Sequence, residues 1–296
     1  MIEITSASEA QAFINGNDTF LFDCDGVIWL GYQTPIPGSV EALQYLHSLG
    51  KRVIFVSNNS LHSRRDFVDI FHSFGLTHVS IDDIFTSTSA AAQYITHISP
   101  IHNNIFVLGG PGIVEELELT NLRIFYINED GTNYDARPEK VDAVIVGLDS
   151  KLSYDKLALA NTYLRHVNDT SGAYEAEFIT TNMDNILVMK DGSLPGTGSI
   201  SSFLIYSSGR IPTIIGKPSI KLLDCITEKL HIDPKRTCMV GDRLDTDIVF
   251  GHKGGINTLL VFSGYSTRKE LSETPTDKRP TFACQSIGDL VKFIAQ

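Results

Sequence analysis

Short apolar segments alternate with helical patterns from one end of the chain to the other, and this alternation constrains the fold more than any other feature. The apolar segment 19–22 is followed by an amphipathic pattern that ends at Gly50, and segment 52–56 is followed by a second such pattern over residues 65–74. Strands that alternate with helices in this way form a parallel sheet with helices on both faces. The sequence therefore predicts an α/β fold.

The last third of the chain repeats this alternation, whereas the middle carries its own set of strands and helices. The strands predicted for the last third are residues 211–215, 237–240 and 258–262. The strands predicted for the middle are residues 105–108, 122–127, 143–146 and 178–181. We therefore predict that residues 1–87 and 211–296 form one discontinuous core and that residues 88–210 form an inserted α/β domain. The small polar stretches 87–89 and 207–209 are the predicted hinges, although they are at least as typical of ordinary loops.

The chain carries 24 Lys and Arg against 35 Asp and Glu, which gives a formal net charge of −11. A negative surface opposes binding to nucleic acid and to anionic membranes, so we expect neither partner. An anionic substrate must then be bound by a few local groups or by a metal ion. The four cysteines show no CxxC spacing, and no segment has the pattern of a secretory signal or a membrane span. We therefore expect a cytoplasmic protein with reduced thiols.

Two aspartates, Asp23 and Asp25, follow the first apolar segment directly and lead into a turn at Gly26. The carboxyl ends of strands are where open α/β sheets bind ligands. Two carboxylates so close in the chain repel each other, and a divalent cation with oxygen ligands relieves that repulsion. The pair is a candidate for catalysis and metal binding, although the same pattern alone is more typical of a turn or a helix cap.

A polar segment, Ser57, Asn58 and Asn59, follows the second predicted strand directly. If neighbouring strands end together, its hydroxyl, amides and backbone N–H groups face the same crevice as Asp23. Such a turn can bind phosphate oxygens. Taken alone, however, the segment is more typical of an ordinary polar loop.

Two further candidates, Lys217 and Asp242, also come at the ends of predicted strands. A single lysine at a strand end is usually a solvated charge, and Asp245 can simply cap the next helix. Asp242, in contrast, lies where a second carboxylate for a metal ion is needed. All four candidate sites fall at carboxyl ends of predicted strands, in the order acid pair, hydroxyl, lysine, acid cluster. Independent accidents would not produce this order.

These motifs resemble those of the haloacid dehalogenase superfamily of phosphatases. Segment 23–26 (DCDG) is similar to the first motif of the superfamily, Ser57 to its second, Lys217 to its third, and Asp242 with Asp247 to its fourth. The sequence around these motifs is similar to that of the branch that contains 4-nitrophenylphosphatases, phosphoglycolate phosphatases and pyridoxal phosphatases. The resemblance covers nearly the whole chain. It implies a Rossmann-like, doubly wound core with a type C2 cap inserted between the second and third motifs.

The resemblance also implies a role for each acidic residue of the core. Asp23 attacks phosphorus and becomes an aspartyl phosphate, while Asp25 protonates the leaving oxygen and later deprotonates the hydrolytic water. Mg²⁺ is held by the carboxylates of Asp23 and Asp242 and by the backbone carbonyl of Asp25. Asp247 orients Lys217 or a water on the metal ion. The implied activity is Mg²⁺-dependent hydrolysis of small phosphate monoesters.

Phosphate recognition follows from the same resemblance. Ser57, Asn58 and Asn59 are expected to bind the transferred phosphoryl oxygens, and Lys217 is expected to neutralise charge on both the nucleophile and the phosphate. Specificity is expected to come from the cap, where Asn182 and Asp184 are candidates for contact with the small phosphorylated metabolite. The remainder of segment 181–187 is equally typical of cap core.

The identity of the metabolite stays open. Segment 181–187 is similar to phosphoglycolate phosphatases, but this type has an arginine where Ile186 stands here. In pyridoxal phosphatases a histidine from this part of the cap contacts the ligand, and the corresponding residue is Leu187, which counts against a pyridoxal ring. The 4-nitrophenylphosphatase and phosphoglycolate phosphatase type is therefore preferred, with a pyridoxal phosphate phosphatase as the alternative.

Two other functions are compatible with the same fold. A phosphotransferase or mutase would pass the phosphoryl group to a sugar hydroxyl, but mutases of this superfamily usually carry a cap between the first two motifs, and the interval from Asp25 to Ser57 is too short for one. A catalytically inactive binding module has no physical need for two mutually repelling acids beside a lysine. Relatives in this branch commonly form homodimers through the cap, so such a dimer is a further hypothesis.

Overall fold

The computed structural model describes residues 1–31, 34–98, 103–127, 138–189 and 192–294. In chain order the strands are β1 (Ile2–Glu3), β2 (Thr19–Phe22), β3 (Trp29–Leu30), β4 (Thr34–Pro35), β5 (Arg52–Ser57), β6 (Ile84–Thr86), β7 (Asn104–Leu108), β8 (Arg123–Phe125), β9 (Ala143–Val146), β10 (Glu177–Thr180), β11 (Ile186–Met189), β12 (Gly192–Pro195), β13 (Thr213–Ile214), β14 (Thr237–Gly241), β15 (Asn257–Val261) and β16 (Phe282–Cys284). The helices are α1 (Ala7–Gly16), α2 (Ser39–Ser48), α3 (Arg64–Ser73), α4 (Ser87–Gln93), α5 (Pro111–Glu118), α6 (Tyr154–Arg165), α7 (Thr197–Ser208), α8 (Lys221–Leu230), α9 (Val249–Lys253), α10 (Arg268–Glu273) and α11 (Gly288–Ile294).

The larger sheet has seven strands in the order β1-β16-β15-β14-β2-β5-β6, and all its pairings are parallel. From β2 the chain moves outward to β5 and β6, and it later returns on the other side of β2 through β14, β15 and β16. The sheet is therefore doubly wound, which confirms the predicted fold class. Its winding direction changes between β2 and β14, and such a switch point leaves a crevice at the carboxyl ends of the strands.

The middle of the chain forms a second parallel sheet, of five strands, in the order β13-β10-β9-β7-β8. Its outermost strand corrects one prediction. The strand predicted over residues 211–215 was placed in the core, but Thr213 and Ile214 pair with Ile179 and Thr180 of the second sheet. The apolar, β-branched pattern identifies a strand, but it carries no information about which sheet edge that strand joins.

The two predicted hinges lie in or beside helices. Thr86 caps α4 by accepting a hydrogen bond from the backbone N–H of Ser89, and Ser87 and Thr88 are buried. At the other boundary, α7 runs to Ser208 and ends at Gly209, whose φ of 72° is the left-handed conformation that favours glycine. Small polar residues here supply helix caps and ends, so their composition does not mark a flexible linker.

Three large hydrophobic clusters connect the layers. In β2, Phe20 and Phe22 face a cluster with α1, α2, α3 and α11, while Leu21 points to the opposite face. The cluster around Leu21 also contains Ile105 of β7 and Ile145 of β9, so one apolar layer lies between the two sheets. A third cluster covers the far face of the second sheet with α6 and α7. This alternation along each strand buries both faces of both sheets.

The helices are short. The longest, α6 and α7, have 12 residues each. Helix α3 begins with a reciprocal cap, in which Ser63 and Asp66 each accept from the other's backbone N–H. Within the described residues, no helix combines the length and the apolar character that crossing a bilayer requires.

Candidate active site

The predicted site residues converge at the switch point of the larger sheet. In the register of the three central strands, Phe22 is opposite both Val240 of β14 and Phe55 of β5. Asp23, which follows Phe22, therefore lies between the ends of β5 and β14. Ser57 and Asp242 are brought to the same edge because each lies at the end of a strand that neighbours β2.

Lys217 joins the acidic residues of this edge. Its ammonium nitrogen lies 2.8 Å from Asp23 Oδ1 and 2.9 Å from Asp247 Oδ1, and it donates to the carbonyl oxygen of Val56 at 2.8 Å. Lys217 is only 1% exposed. Burial opposes the charged form, but the two carboxylates outweigh it and raise the pKa of Lys217. Lys217 is therefore a fixed cation beside Asp23.

Three carboxylates of this edge form a candidate metal centre. Asp23, Asp242 and Asp247 each offer an oxygen, and these atoms all lie within 4.8 Å of one another. Asp242 Oδ2 accepts from the backbone N–H of Tyr265 at 2.6 Å, whereas its buried Oδ1 has no hydrogen-bond partner among the described residues. An orphaned carboxylate oxygen is costly to bury unless a cation binds it. The donor set, all oxygens, fits a divalent cation such as Mg²⁺.

Burial and mutual repulsion raise the pKa values of two carboxyl groups in the acidic cluster. Burial, with the charges of Asp23 and Asp247, raises the pKa of Asp242 well above its ordinary value. Burial also raises the pKa of Asp247 to about 6, although Lys217 opposes this rise. A bound cation would favour the ionised form of both groups.

Two glycines allow Asp242 to approach the acid pair closely. Gly26 has φ of 82°, and a Cβ there would overlap Asp242 Oδ2. A Cβ at Gly264 would overlap the same oxygen from the other side. Any larger residue at either position would displace the carboxylate.

Asp25 lies in a different environment from Asp23. Its Oδ1 accepts from Trp29 Nε1 at 3.1 Å, in the short hairpin of β3 and β4. Trp29 is fully buried against Phe67 and Phe71, so its N–H is held in place. Burial, and then the charge of Asp23, raises the pKa of Asp25 to about 7. The sequence pattern contained no signal for this role of Trp29, because the contact depends on the turn of the hairpin.

The segment that begins at the end of β5 contains a buried amide donor without an acceptor. Ser57 Oγ accepts from the backbone N–H of Asn59 at 3.1 Å, and Asn59 Oδ1 accepts from the backbone N–H of Leu61 at 2.9 Å. Asn59 Nδ2 is buried and has no acceptor among the described residues. A buried amide donor without a partner suits an oxyanion such as phosphate.

Asn58 is differently placed from Asn59. Its Nδ2 donates to the carbonyl oxygen of Lys217 at 2.9 Å and to Asp184 Oδ2 at 3.1 Å. The backbone carbonyl oxygen of Asn58 accepts a hydrogen bond from Asn182 Nδ2 at 2.7 Å. Asn58 therefore connects the segment after β5 to the lysine and to the inserted middle, and its amide donors are already engaged.

Asn182 and Asp184 lie at the same edge, and both side chains make hydrogen bonds within the protein. Asn182 is 3% exposed, and its Oδ1 accepts from the backbone N–H of Asp184 at 3.0 Å. Its Nδ2 also lies 3.3 Å from Thr197 Oγ1. Burial raises the pKa of Asp184, an effect that the positive charge of Arg243 opposes. Asn182 thus holds the inserted middle against Asn58, while Asp184 keeps an exposed part.

A cavity opens between these groups. Besides the residues above, the side chains that line it come from the hairpin of β3 and β4, from the inserted middle and from the segments after β5, β14 and β15. They include Leu30, Ser60, Leu148, Ile186, Leu187, Thr197, Arg243 and Tyr265. The cavity is therefore polar where the aspartates are and apolar where the inserted middle covers it.

Arg243 is the lining residue that sequence reasoning missed. Its guanidinium lies 4.2 Å above the ring centroid of Tyr265, and it pairs with both carboxylate oxygens of Asp245 at 3.1 and 2.9 Å. Its only signal in the sequence is that it directly follows Asp242. Asp245, expected to be a cap or surface residue, has a side chain that is 63% exposed and holds Arg243.

Comparison with known proteins agrees with this geometry. The model of the haloacid dehalogenase-like hydrolases matches residues 20–123, and that of the HAD-hydrolase-like family matches residues 214–290. Over 99% of its length the chain is 36% identical to phosphoglycolate phosphatase 2 of Arabidopsis thaliana, of which it covers 98%. It is also 35% identical to a 4-nitrophenylphosphatase of Schizosaccharomyces pombe, with 98% of each chain covered.

A solved structure shows the same arrangement. The 4-nitrophenylphosphatase of Thermotoga maritima superposes with a TM-score of 0.79 at 31% identity, and the match covers 95% of this chain and 99% of that one. The shared architecture thus includes the inserted middle as well as the core. With motifs, geometry, family models and full-length relatives in agreement, the chain belongs to the haloacid dehalogenase-like hydrolases.

Proposed function

We propose that this chain hydrolyses small phosphate monoesters through a covalent intermediate on Asp23. The observation that carries the proposal is the placement of Asp23 at the switch point, in contact with Lys217 and beside the orphaned oxygen of Asp242. An Asp23 oxygen attacks phosphorus, the bond from phosphorus to the ester oxygen breaks, and an aspartyl phosphate forms. Water then attacks this phosphorus and releases inorganic phosphate, which restores the carboxylate.

Asp25 is the proposed general acid and base. In the first step it gives its proton to the departing ester oxygen, and in the second it takes a proton from the attacking water. Its pKa of about 7 suits both directions, since burial and Asp23 hold it far above that of an ordinary carboxyl. Trp29 orients the carboxyl by donating to Oδ1 at 3.1 Å.

Mg²⁺ is the proposed cofactor. The carboxylates of Asp23 and Asp242 and the backbone carbonyl of Asp25 would hold it, and the unpartnered Asp242 Oδ1 supports this assignment. When bound, the ion would offset the repulsion between the anionic nucleophile and the anionic phosphate. Asp247 is proposed to fix Lys217, to which it lies 2.9 Å away, although its oxygen also lies within the acidic cluster.

The phosphate is proposed to bind between Ser57, Asn59 and Lys217. The free Nδ2 of Asn59 and the hydroxyl of Ser57 donate to phosphoryl oxygens, and Lys217 supplies positive charge. Asn58 acts indirectly, because it holds the carbonyl of Lys217 and the carboxylate of Asp184. Asn182 fixes the inserted middle in the same way, and Asp184 is the member of the pair proposed to contact the substrate.

The inserted middle, residues 88–210, is proposed to act as the cap that selects the substrate. A phosphoglycolate or 4-nitrophenyl phosphate type of substrate agrees with the names of the relatives. Leu187 lines the cavity, and its apolar side chain offers no hydrogen bond to a pyridoxal ring. We also propose a cytoplasmic location and a homodimer through the cap, where Phe203 and Tyr206 are exposed.

The test is phosphate release from 4-nitrophenyl phosphate, 2-phosphoglycolate and pyridoxal 5′-phosphate, with Mg²⁺ and with EDTA. We expect release that needs Mg²⁺ and that falls by at least about 10³-fold in Asp23→Asn, since the nucleophile is lost. Asp69→Asn, on the exposed side of α3, is the matched control. A folded protein that releases phosphate from none of these esters, or that retains activity in Asp23→Asn, would contradict the proposal.

A further inference from the structure

The cavity is strongly acidic for a site that binds anions. Asp23, Asp25, Asp184 and Asp242 all line it. Among the described lining residues, Arg243 is the only lysine or arginine. Because Lys217 lies behind Asp23 and all its acceptors are protein groups, it adds little to attract a second charge of the substrate. Arg243 is therefore the basic side chain that lines the cavity.

The guanidinium of Arg243 is held in a fixed orientation. The ring of Tyr265 covers one face, and Asp245 binds Nε and one terminal nitrogen side by side. The other terminal nitrogen, Nη1, has no hydrogen-bond partner among the described residues. A guanidinium fixed along one edge and on one face is preorganised to bind a planar anion through its remaining donors.

Arg243 also faces the inserted middle across the cavity. Arg243 and Asp184 both line the cavity, and the positive charge of Arg243 opposes the rise that burial causes in the pKa of Asp184. Arg243 is 12% exposed, whereas its partner Asp245 is 63% exposed and screened by water. The charge of Arg243 is thus only partly neutralised on the side of the cavity.

We propose that Arg243 binds a carboxylate that the substrate carries close to its phosphate, and that it thereby selects small phosphate esters of hydroxy acids over neutral ones. This inference rests on the proposed phosphatase function. The neutral competitor would leave Nη1 unpaired and would not neutralise the positive charge of Arg243. Arg243 is then a specificity residue, and Tyr265 and Asp245 position it.

The experiment compares two esters of similar size that differ in the second group. These are 2-phosphoglycolate, which carries a carboxylate, and 2-hydroxyethyl phosphate, which carries a hydroxyl. The measured quantity is the ratio of their kcat/KM values in the unaltered protein and in Arg243→Gln. We expect this ratio to fall by at least about tenfold in the variant, mainly through KM, which is the factor expected for a hydrogen bond between charged groups.

Arg268→Gln is the matched control, because Arg268 also lies over an aromatic ring, Phe262 at 4.4 Å, and pairs with an acid, Glu3, but does not line the cavity. Its ratio should match that of the unaltered protein. An unchanged ratio in Arg243→Gln would overturn the inference, whether both kcat/KM values stay the same or fall by the same factor. An equal fall would mean that Arg243 only supports the Asp242 segment.

A second measurement does not depend on the folding of the variant. In the unaltered protein, phosphonoacetate and ethylphosphonate are compared as inhibitors of 4-nitrophenyl phosphate hydrolysis. We expect phosphonoacetate, which carries the carboxylate, to bind at least about tenfold more tightly. Equal inhibition constants overturn the inference while leaving the phosphatase intact, whereas absence of any ester hydrolysis overturns the proposed function and this inference together.

Discussion

At the residue scale, Lys217 is the group on which the buried charges of the site depend. It is the shared cation of Asp23 and Asp247, both of which are buried. Lys217→Met removes this cation and leaves two carboxylates without compensation. We therefore expect the free energy of unfolding, measured with urea in EDTA, to fall by about 3–5 kcal/mol.

Lys229→Met is the control for this prediction. Lys229 pairs with Asp82 at 2.7 Å, but both side chains are largely exposed. Its loss should change the free energy of unfolding by less than about 1 kcal/mol. Equal stability of the two variants would show that the buried carboxylates find compensation elsewhere.

Gly264 provides a second prediction at the residue scale. Because a Cβ at this position would overlap Asp242 Oδ2, Gly264→Ala must displace the carboxylate proposed to bind Mg²⁺. We expect the Mg²⁺ concentration for half-maximal activity to rise by about 10-fold or more. Gly16→Ala, where a Cβ meets no atom within 4 Å, should leave it unchanged. An unchanged Mg²⁺ dependence in Gly264→Ala would show that Asp242 does not bind the metal ion.

Sequence reasoning located the acidic residues of the site more readily than their supports. Asp23 and Asp242 could be predicted because each lies at the end of an apolar segment, and parallel strands end at a common edge. Lys217 was predicted from the same pattern, although its strand, β13, belongs to the other sheet. The contacts of Trp29 with Asp25 and of Tyr265 with Arg243 could not be predicted, since they join residues through loops whose paths depend on tertiary packing.

At the scale of elements, the existence of the helices and strands was easier to predict than their partners. Segments 19–22 and 143–146 match β2 and β9, because a continuous apolar run is typical of a strand covered on both faces. The run that contains β13 was assigned to the wrong sheet, since its partner β10 lies more than 30 residues away in sequence. Pairing is decided by tertiary packing, which a local pattern does not record.

The contact between α3 of the core and α5 of the inserted middle depends on one ion pair. Glu116 is 3% exposed and accepts from both the backbone N–H and the guanidinium of Arg64, at 2.9 to 3.0 Å. Arg64→Ala leaves this carboxylate buried and with fewer partners. We expect a loss of about 3 kcal/mol in the free energy of unfolding, measured by urea denaturation.

Arg123→Ala is the control for this variant. Arg123 is exposed, and its guanidinium lies over the ring of Phe125 at 5.8 Å. Arg123→Ala should lower the free energy of unfolding by less than about 1 kcal/mol. If Arg64→Ala costs no more than this, the Arg64–Glu116 pair does not contribute to the stability of the contact between α3 and α5.

At the scale of the whole molecule, the site lies where the two sheets meet. The apolar layer that contains Leu21 of β2 and Ile145 of β9 joins the sheets below the cavity, and Asn58 joins them beside it through Asn182 and Asp184. The groups that would hold the phosphate and the groups that would contact the rest of the substrate are therefore coupled through one asparagine. This coupling explains why the polar segment after β5 contains two amides with different tasks.

The stability of the whole molecule should respond to the metal ion. Asp23, Asp242 and Asp247 converge within 4.8 Å, and their mutual repulsion opposes folding until a cation binds. A ligand that binds only the folded chain, at 100 times its dissociation constant, stabilises by about 2.7 kcal/mol. For a chain of this size we therefore expect Mg²⁺ to raise the midpoint of thermal unfolding by about 5 °C relative to EDTA.

Asp242→Asn should remove this shift, because its Oδ1 is the orphaned oxygen assigned to the cation. Without Mg²⁺ the same variant should be at least as stable as the unaltered protein, since one of the repelling charges is gone. Asp245→Asn, in the same segment but with a side chain that is 63% exposed, should keep the full response. A shift that persists in Asp242→Asn would place the cation away from the acidic cluster, and the phosphatase mechanism would then need a different metal site.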